Sequence, residues 1–368
     1  ENDYKTLNVE FMESVIWAFK RLSDKGLTYQ GFRVLPYCWK DETPLSNHEL
    51  RMDDDVYKNR QDQTVTVGFT ILAGETEASK ALAGVQALAW TTTPWTLPTN
   101  EALAVHPDIE YVVLPAGEAG VKASAAAGPF LLARDLLGSY AKDLGYKDAK
   151  EAAAAVTASY TGADLSGVRY APLWDTYTDT EKYGTENAWQ IVTADYVTVA
   201  DGTGIVHQAP AYGEDDQKVC EEHGIPVILS VDEGAKFLPV FAGGPLADIV
   251  GVQVFDANKT ITNVLKDEAK LIKQASYEHS YPHCWRCRTP LIYRAISSWY
   301  VEVSKFKDRM VELNEQINWI PGNVKHGQFG KWLENARDWS ISRNRYWGSP
   351  IPVWKSDDPE YPRVDVYG

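Results

Sequence analysis

Several things are scarce in this chain of 368 residues. No run of about 18 or more apolar residues occurs, which excludes a membrane-spanning helix. Four cysteines in this length make no disulfide framework, so a reducing, cytoplasmic setting is expected. The opening Glu1-Asn2-Asp3-Tyr4-Lys5 is neither an initiator methionine nor a signal peptide, and the chain is expected to begin inside a larger protein. There is no G-x-S-x-G, and Cys220 has no evident base partner, which disfavours a serine or cysteine hydrolase. Internal repeats and low-complexity tails are also missing. Basic charge is short overall, with a net charge of −15, which argues against a surface coated for nucleic acid. The shortage is local, however. Between Pro282 and Tyr346, eleven Lys/Arg face six Asp/Glu, so one segment could touch phosphate while the rest repels it.

What is present divides into three textures. The N-terminal part carries an amphipathic helix over 5–24, with Phe11, Val15, Ile16, Phe19 and Leu22 at helical spacing and Gly26 ending it. From Thr64 onward, short alternating runs (Thr64–Leu72, Tyr111–Leu114, Ile191–Val197) predict strands in a barrel-like or closed β architecture. Within it, Phe130, Leu131, Leu136, Leu137 and Tyr140 suggest a short helix, and the alanines near 152–155 a second helix or a solvated insert. After about residue 275 the chain becomes basic and tryptophan-rich, with a helix expected over 305–317. The fold class expected is α/β: a β-rich, barrel-like central domain (63–273) between mixed α/β segments (1–62 and 274–368).

Chemistry concentrates in two runs. Trp90-Thr91-Thr92-Thr93-Pro94-Trp95-Thr96-Leu97-Pro98-Thr99-Asn100 places hydroxyls and an amide around two prolines. Proline biases its predecessor toward extended geometry, so Thr93 and Leu97 are expected to be extended. Asp201-Gly202-Thr203-Gly204-Ile205-Val206-His207-Gln208-Ala209-Pro210 reads as a tight turn feeding a strand, followed by Gly213-Glu214-Asp215-Asp216 opening a helix. It is not G-x-G-x-x-G, so a dinucleotide loop is a poor reading. The acidic pair and one distant histidine are a thin set of ligands for a divalent ion.

The run W-T-T-T-P-W-T-L-P-x-N resembles the threonine-rich signature of the editing domain of the isoleucyl-tRNA synthetase family. The valine and leucine relatives carry Arg-Pro where Pro94-Trp95 stand. G-T-G-x-V-H-x-A-P followed by Asp215-Asp216 resembles the same domain, and Trp339–Pro352 resembles the run where these class I enzymes re-enter their catalytic fold. H-I-G-H and K-M-S-K-S are absent, so the resemblance implies the connective-peptide region without an ATP site. ATP and magnesium would then belong to the parent enzyme, and editing would need no cofactor.

Carried over position by position, the resemblance makes Asp216 the carboxylate that holds a substrate α-ammonium and His207 part of the wall limiting side-chain size. Thr92 and Thr93, with Asn100, would line the site around the terminal ribose and the water, and Thr91 and Trp95 would join the substrate-binding set. Tyr212 stands where many bacterial members have histidine, which leaves that side chain's role open.

Tyr37-Cys38-Trp39-Lys40-Asp41 resembles a family zinc knuckle, but Asp41 replaces its second cysteine. Cys38, Cys284 and Cys287 are therefore expected to be buried thiols rather than a metal site. A zinc ion would need Asp41 or His283 as its fourth ligand. The function implied is hydrolysis of mischarged valyl-tRNA(Ile) by a cytoplasmic monomer whose partner is the acceptor end of tRNA(Ile) carrying valine. The alternatives are an editing domain of other amino-acid specificity and a noncatalytic tRNA-binding module that needs the parent enzyme.

Overall fold

The structure is a computed structural model and describes residues 5–46, 48–51, 54–343, 348–358 and 360–367. Tyr4 and residues 344–347, the centre of the Trp339–Pro352 motif, lie outside these. The strands in chain order are β1 (Thr28–Cys38), β2 (Thr43–Pro44), β3 (Tyr57–Thr70), β4 (Gln86–Thr91), β5 (Ala102–Val105), β6 (Glu110–Leu114), β7 (Phe130–Ala133), β8 (Ala158–Thr161), β9 (Gln190–Thr193), β10 (Ile205–Gln208), β11 (Leu271–Pro282) and β12 (Ile292–Val301). Two compact units result, one of residues 34–295 and one of 1–33 with 296–368.

The 34–295 unit is mixed α/β and holds a curled sheet of nine strands. β4 branches it. One edge of β4 pairs with β3, while the other meets β7 at its start (Gln86 opposite Phe130) and β10 at its end (Trp90 opposite Val206). From β10 the pairing continues through β5 to β9. The segment around Arg169 and Tyr170 then bridges β9 at Gln190 and the end of β3 at Ile71. The circuit β3–β4–β10–β5–β9 therefore returns to its start, which removes the open edges a flat sheet would leave. By register, Val65, Val67, Phe69, Ala87, Ala89, Leu103, Val105 and Ile191 share one face of it, and all are buried.

The branch β7–β6–β8 supports a second core. Leu88, Val112, Leu114, Phe130, Leu132, Leu137, Tyr140, Leu144, Ala152 and Ile272 pack together there. This core corrects one expectation and decides another. Phe130 and Leu131 lie on β7, and the helical part is a 3-10 turn over Arg134–Leu136 running into an α-helix over Leu137–Tyr140. Buried on both faces, as all four β7 residues are, an apolar run shows no alternation to separate strand from helix. The alanine-rich stretch forms a helix over Ala149–Ala154, capped by the Asp148 carboxylate, which accepts from the Lys150 and Glu151 N–H groups. Ala152 sits in the core, so this is no solvated insert.

The expected boundaries near 62 and 273 fall inside the long antiparallel pair β3·β11, which runs from Leu271 opposite Val67 to Pro282 opposite Tyr57. In the other unit, the N-terminal helix covers Val9–Asp24 and a later one Lys307–Glu315. There Phe19 meets Trp299 edge-on at 5.7 Å, and Tyr29 stacks on Tyr300 at 5.2 Å. No helix among the described residues is long and apolar enough to cross a membrane.

Candidate functional site

The parallel strands β4 and β10 end side by side, and the segments leaving them enclose a cavity of about 330 Å³. After β4, the chain does not stay extended as expected. It coils into a 3-10 helix over Pro94–Thr99. Thr96 N–H bonds the Thr93 carbonyl at 3.0 Å, and Asn100 N–H the Leu97 carbonyl at 3.0 Å. Each proline sits just after the residue that opens a turn, a position that needs φ near −65° and no N–H. Leu97 is thus held in the coil, while Thr93 (φ −125°, ψ 74°) stays outside the helix.

The hydroxyls are ordered by this coil. Thr93 N–H donates to Thr91 Oγ1 at 3.0 Å, and Thr91 Oγ1 lies 3.2 Å from Thr93 Oγ1. Thr96 Oγ1 donates to the Thr93 carbonyl at 2.9 Å. Among the described residues the Thr92 hydroxyl has no hydrogen-bond partner, and Thr92 lines the cavity half-buried. It is open to water or to a ligand in the cavity.

The opposite wall comes from the glycine turn and β10. Gly204 (φ +75°) brings the turn so close to β7 that a Cβ there would lie 2.4 Å from the Ala133 Cβ. His207 on β10 faces the cavity but is only 7% exposed. Its Nε2 lies 2.9 Å from Thr96 Oγ1 and its Nδ1 2.8 Å from Asn100 Nδ2. Asn100 Nδ2 also donates to the Ala102 carbonyl, and its Oδ1 accepts from the Tyr170 hydroxyl at 2.8 Å. An amide N–H can only donate, so Nδ1 is an acceptor and the ring proton sits on Nε2. Burial holds the imidazole down to about 3, so the ring is neutral near pH 7. With both nitrogens occupied, His207 presents a neutral ring surface and no free base.

Asp216 lies in the first turn of the helix Glu214–Glu222. Its Oδ2 accepts from the Ala209 N–H at 2.9 Å. Gly213 makes this fold-back possible, because a Cβ there would lie 2.5 Å from the carboxyl carbon of Asp216. Burial pushes the Asp216 carboxyl up to about 7, against the pull of Ala209 and with the help of the neighbouring Asp215 charge. Asp215 itself is exposed and is not part of the cavity lining.

Of the residues expected from the motifs, Thr91, Thr92, Thr93, His207 and Asp216 line the one cavity. Trp95 and Asn100 do not. Trp95 is buried behind the lining, edge-on to Tyr212 at 4.8 Å, and Asn100 stands behind His207. Tyr212 does line the cavity, with its hydroxyl turned to Ser230 at 2.7 Å. Three further residues join the site. Thr96 lies within the threonine-rich run, and its signal was there to be read. Tyr196 and Tyr170 stand outside both motifs, and only the closure of the sheet brings Tyr170 to Asn100.

A second cluster joins Cys38, Asp41, Cys284 and Cys287, whose donor atoms all lie within 4.8 Å of one another. Cys38 Sγ is 3.4 Å from Cys287 Sγ, and Cys284 Sγ is 3.4 Å from Asp41 Oδ2. A tetrahedral zinc with bonds of about 2.3 Å sets its donors about 3.8 Å apart, so these four would fit such an ion. The rival fourth donor, His283, is outside the cluster, with its Nδ1 2.9 Å from the Tyr281 carbonyl oxygen. Zinc held there would tie two chain segments together and take no part in hydrolysis.

The chain belongs to the class I tRNA synthetases of the isoleucine, leucine, methionine and valine group, whose family model matches residues 1–366. Within that group it is similar to isoleucine–tRNA ligases, with 64% identity to that of Leifsonia xyli subsp. xyli and 56% to that of Mycobacterium tuberculosis. Both matches cover the whole of this chain and 33% and 34% of the relative, so the chain spans about a third of their length. Among solved structures, the Plasmodium knowlesi cytosolic leucyl-tRNA synthetase editing domain overlaps 62% of this chain and 100% of its own, at a TM-score of 0.40 and 10% identity.

Proposed function

We propose that this chain hydrolyses the ester of valyl-tRNA(Ile), the post-transfer editing step of an isoleucine–tRNA ligase. The observation that carries the reading is the arrangement of the cavity: an unpartnered threonine hydroxyl and a half-buried, partly desolvated carboxylate around a neutral, immobilised histidine. An aminoacyl ester is already activated, so its hydrolysis needs a positioned water and an oriented substrate more than a protein nucleophile. Asp216 binds the α-ammonium, and the bound cation draws its carboxyl into the ionised form. Thr92 and Thr93 orient the ribose and the attacking water. The His207 ring sets the depth available to the amino-acid side chain. A first site for isoleucine rejects valine only weakly, and a second, smaller site is the solution the double-sieve principle describes.

The test is incubation with valyl-tRNA(Ile) and isoleucyl-tRNA(Ile), following release of each amino acid. Preferential release of valine is expected. Equal release of both would refute the specificity, and filter binding of tRNA without release of either would favour the noncatalytic module.

A further inference from the structure

We infer that Tyr170 is a positioning residue for amino-acid selectivity, acting through Asn100 to hold the His207 ring as a rigid wall. The inference rests on the editing reading for its functional arm, though not for its structural one. The chain of hydrogen bonds is continuous and directional. The Tyr170 hydroxyl donates to Asn100 Oδ1 at 2.8 Å, and Asn100 Nδ2 donates to His207 Nδ1 at 2.8 Å. His207 Nε2 donates to Thr96 Oγ1 at 2.9 Å, and Thr96 Oγ1 donates to the Thr93 carbonyl at 2.9 Å. The Ala102 carbonyl can only accept, which turns Asn100 Nδ2 toward it and toward His207, so the chain admits one tautomer and one ring orientation. Tyr170, at 1% exposure, is fixed in turn by the edge of Phe69, 5.4 Å away, and by the strand-like segment that closes the sheet.

Rigidity matters because valine and isoleucine differ by one methylene. A wall that yields by a fraction of an ångström would admit the larger side chain, whereas a close-packed one turns that methylene into a clash. Without the Tyr170 hydroxyl, Asn100 Oδ1 loses its donor and the amide is held only by the Ala102 carbonyl, which accepts from Nδ2. The amide, and the imidazole it holds, then gain freedom to tilt.

The experiment has two readouts on the same samples. Long-range proton–nitrogen correlation spectra report which His207 nitrogen carries the proton, and deacylation assays give the ratio of kcat/KM for valyl- over isoleucyl-tRNA(Ile). Wild type should show the proton on Nε2. Tyr170→Phe should keep the proton on Nε2 but shift and broaden the His207 nitrogen signals, and lower the ratio about fivefold, chiefly through faster release of isoleucine. Thr96→Val, which removes the acceptor on the other ring nitrogen, should move the His207 signal likewise, and it keeps the test open if Tyr170→Phe fails to fold. A wild-type proton on Nδ1, or a Tyr170→Phe protein with the wild-type signal, would overturn the inference, as would a changed signal with an unchanged ratio. A wild-type chain that releases neither amino acid defeats the editing reading instead, and the spectra still decide whether the lock exists.

Discussion

The 34–295 unit contains a second cavity that is larger than the first, about 590 Å³ against about 330 Å³. By size alone it would be the candidate site. It is lined by Trp174, Phe241, the Gly243-Gly244-Pro245 turn, Glu268 and Lys270. Its charged groups satisfy one another, Glu268 Oε2 accepting from Lys270 Nζ at 2.8 Å and from Trp174 Nε1 at 3.1 Å, while the Thr176 hydroxyl on its lining has no partner among the described residues. In the smaller cavity the Thr92 hydroxyl has no partner among the described residues, and a carboxylate is held where burial works against its charge. A carboxylate held against its charge, rather than volume or an unpartnered hydroxyl, separates the two.

The comparison would break most visibly at Asp216. Asp216→Asn should lower kcat/KM on valyl-tRNA(Ile) by on the order of 100-fold, the upper range of a charge-assisted bond of about 1.5–3 kcal/mol. Asp215→Ala should not reproduce this. Wild-type kcat/KM should rise between pH 6 and 8 as the carboxyl ionises near 7, and the asparagine variant should lose that rise. Stability runs the other way. A carboxyl raised above its unfolded value binds its proton more tightly in the folded state, so its contribution is lost as pH climbs to about 7. At pH 8, Asp216→Asn should therefore melt no lower than wild type; a large drop in Tm would reassign the activity loss to unfolding.

A smaller effect is expected at the wall. His207→Ala should raise release of isoleucine roughly tenfold, since overfilling a rigid pocket costs about 1–3 kcal/mol. Much of the valine activity should remain. Equal loss on both substrates would mean that His207 serves the water or the ribose instead. The smallest effect belongs to the larger cavity: Glu268→Gln should change deacylation of valyl-tRNA(Ile) by less than about twofold. A strong effect there would end the distinction between the two cavities.

The motifs made the cavity legible because its walls are local. Thr91 to Thr96 form one turn system, and the glycine turn aims His207 within a few residues. What could not be read was what stands behind those walls. Asn100 belongs to the threonine motif, yet its side chain faces away from the cavity because Tyr170, seventy residues later, reaches it across the closed sheet. Proline grammar also misled. A proline disfavours helix at the preceding residue, but successive 3-10 turns accept prolines just inside each opening, and so Leu97 is coiled. β7 was unreadable as a strand because full burial erases the period of two on which strand recognition depends.

One consequence belongs to the cysteine cluster. Cys38 and Asp41 stand at one end of the 34–295 unit, and Cys284 and Cys287 at the other. The two ends meet even without an ion, since Leu45, Leu50, Val56 and Leu291 pack around the same sulfurs and Trp39 Nε1 donates to the Pro290 carbonyl. By loop-closure arithmetic, a cross-link over roughly 250 residues restricts the unfolded chain by about 5 kcal/mol, and a bound metal would act as such a clip. A segment whose two ends meet at one neck leaves and re-enters the chain at one place. It can interrupt a host chain at a single point, and it can gain or lose residues between its ends without changing where that host chain leaves off and resumes.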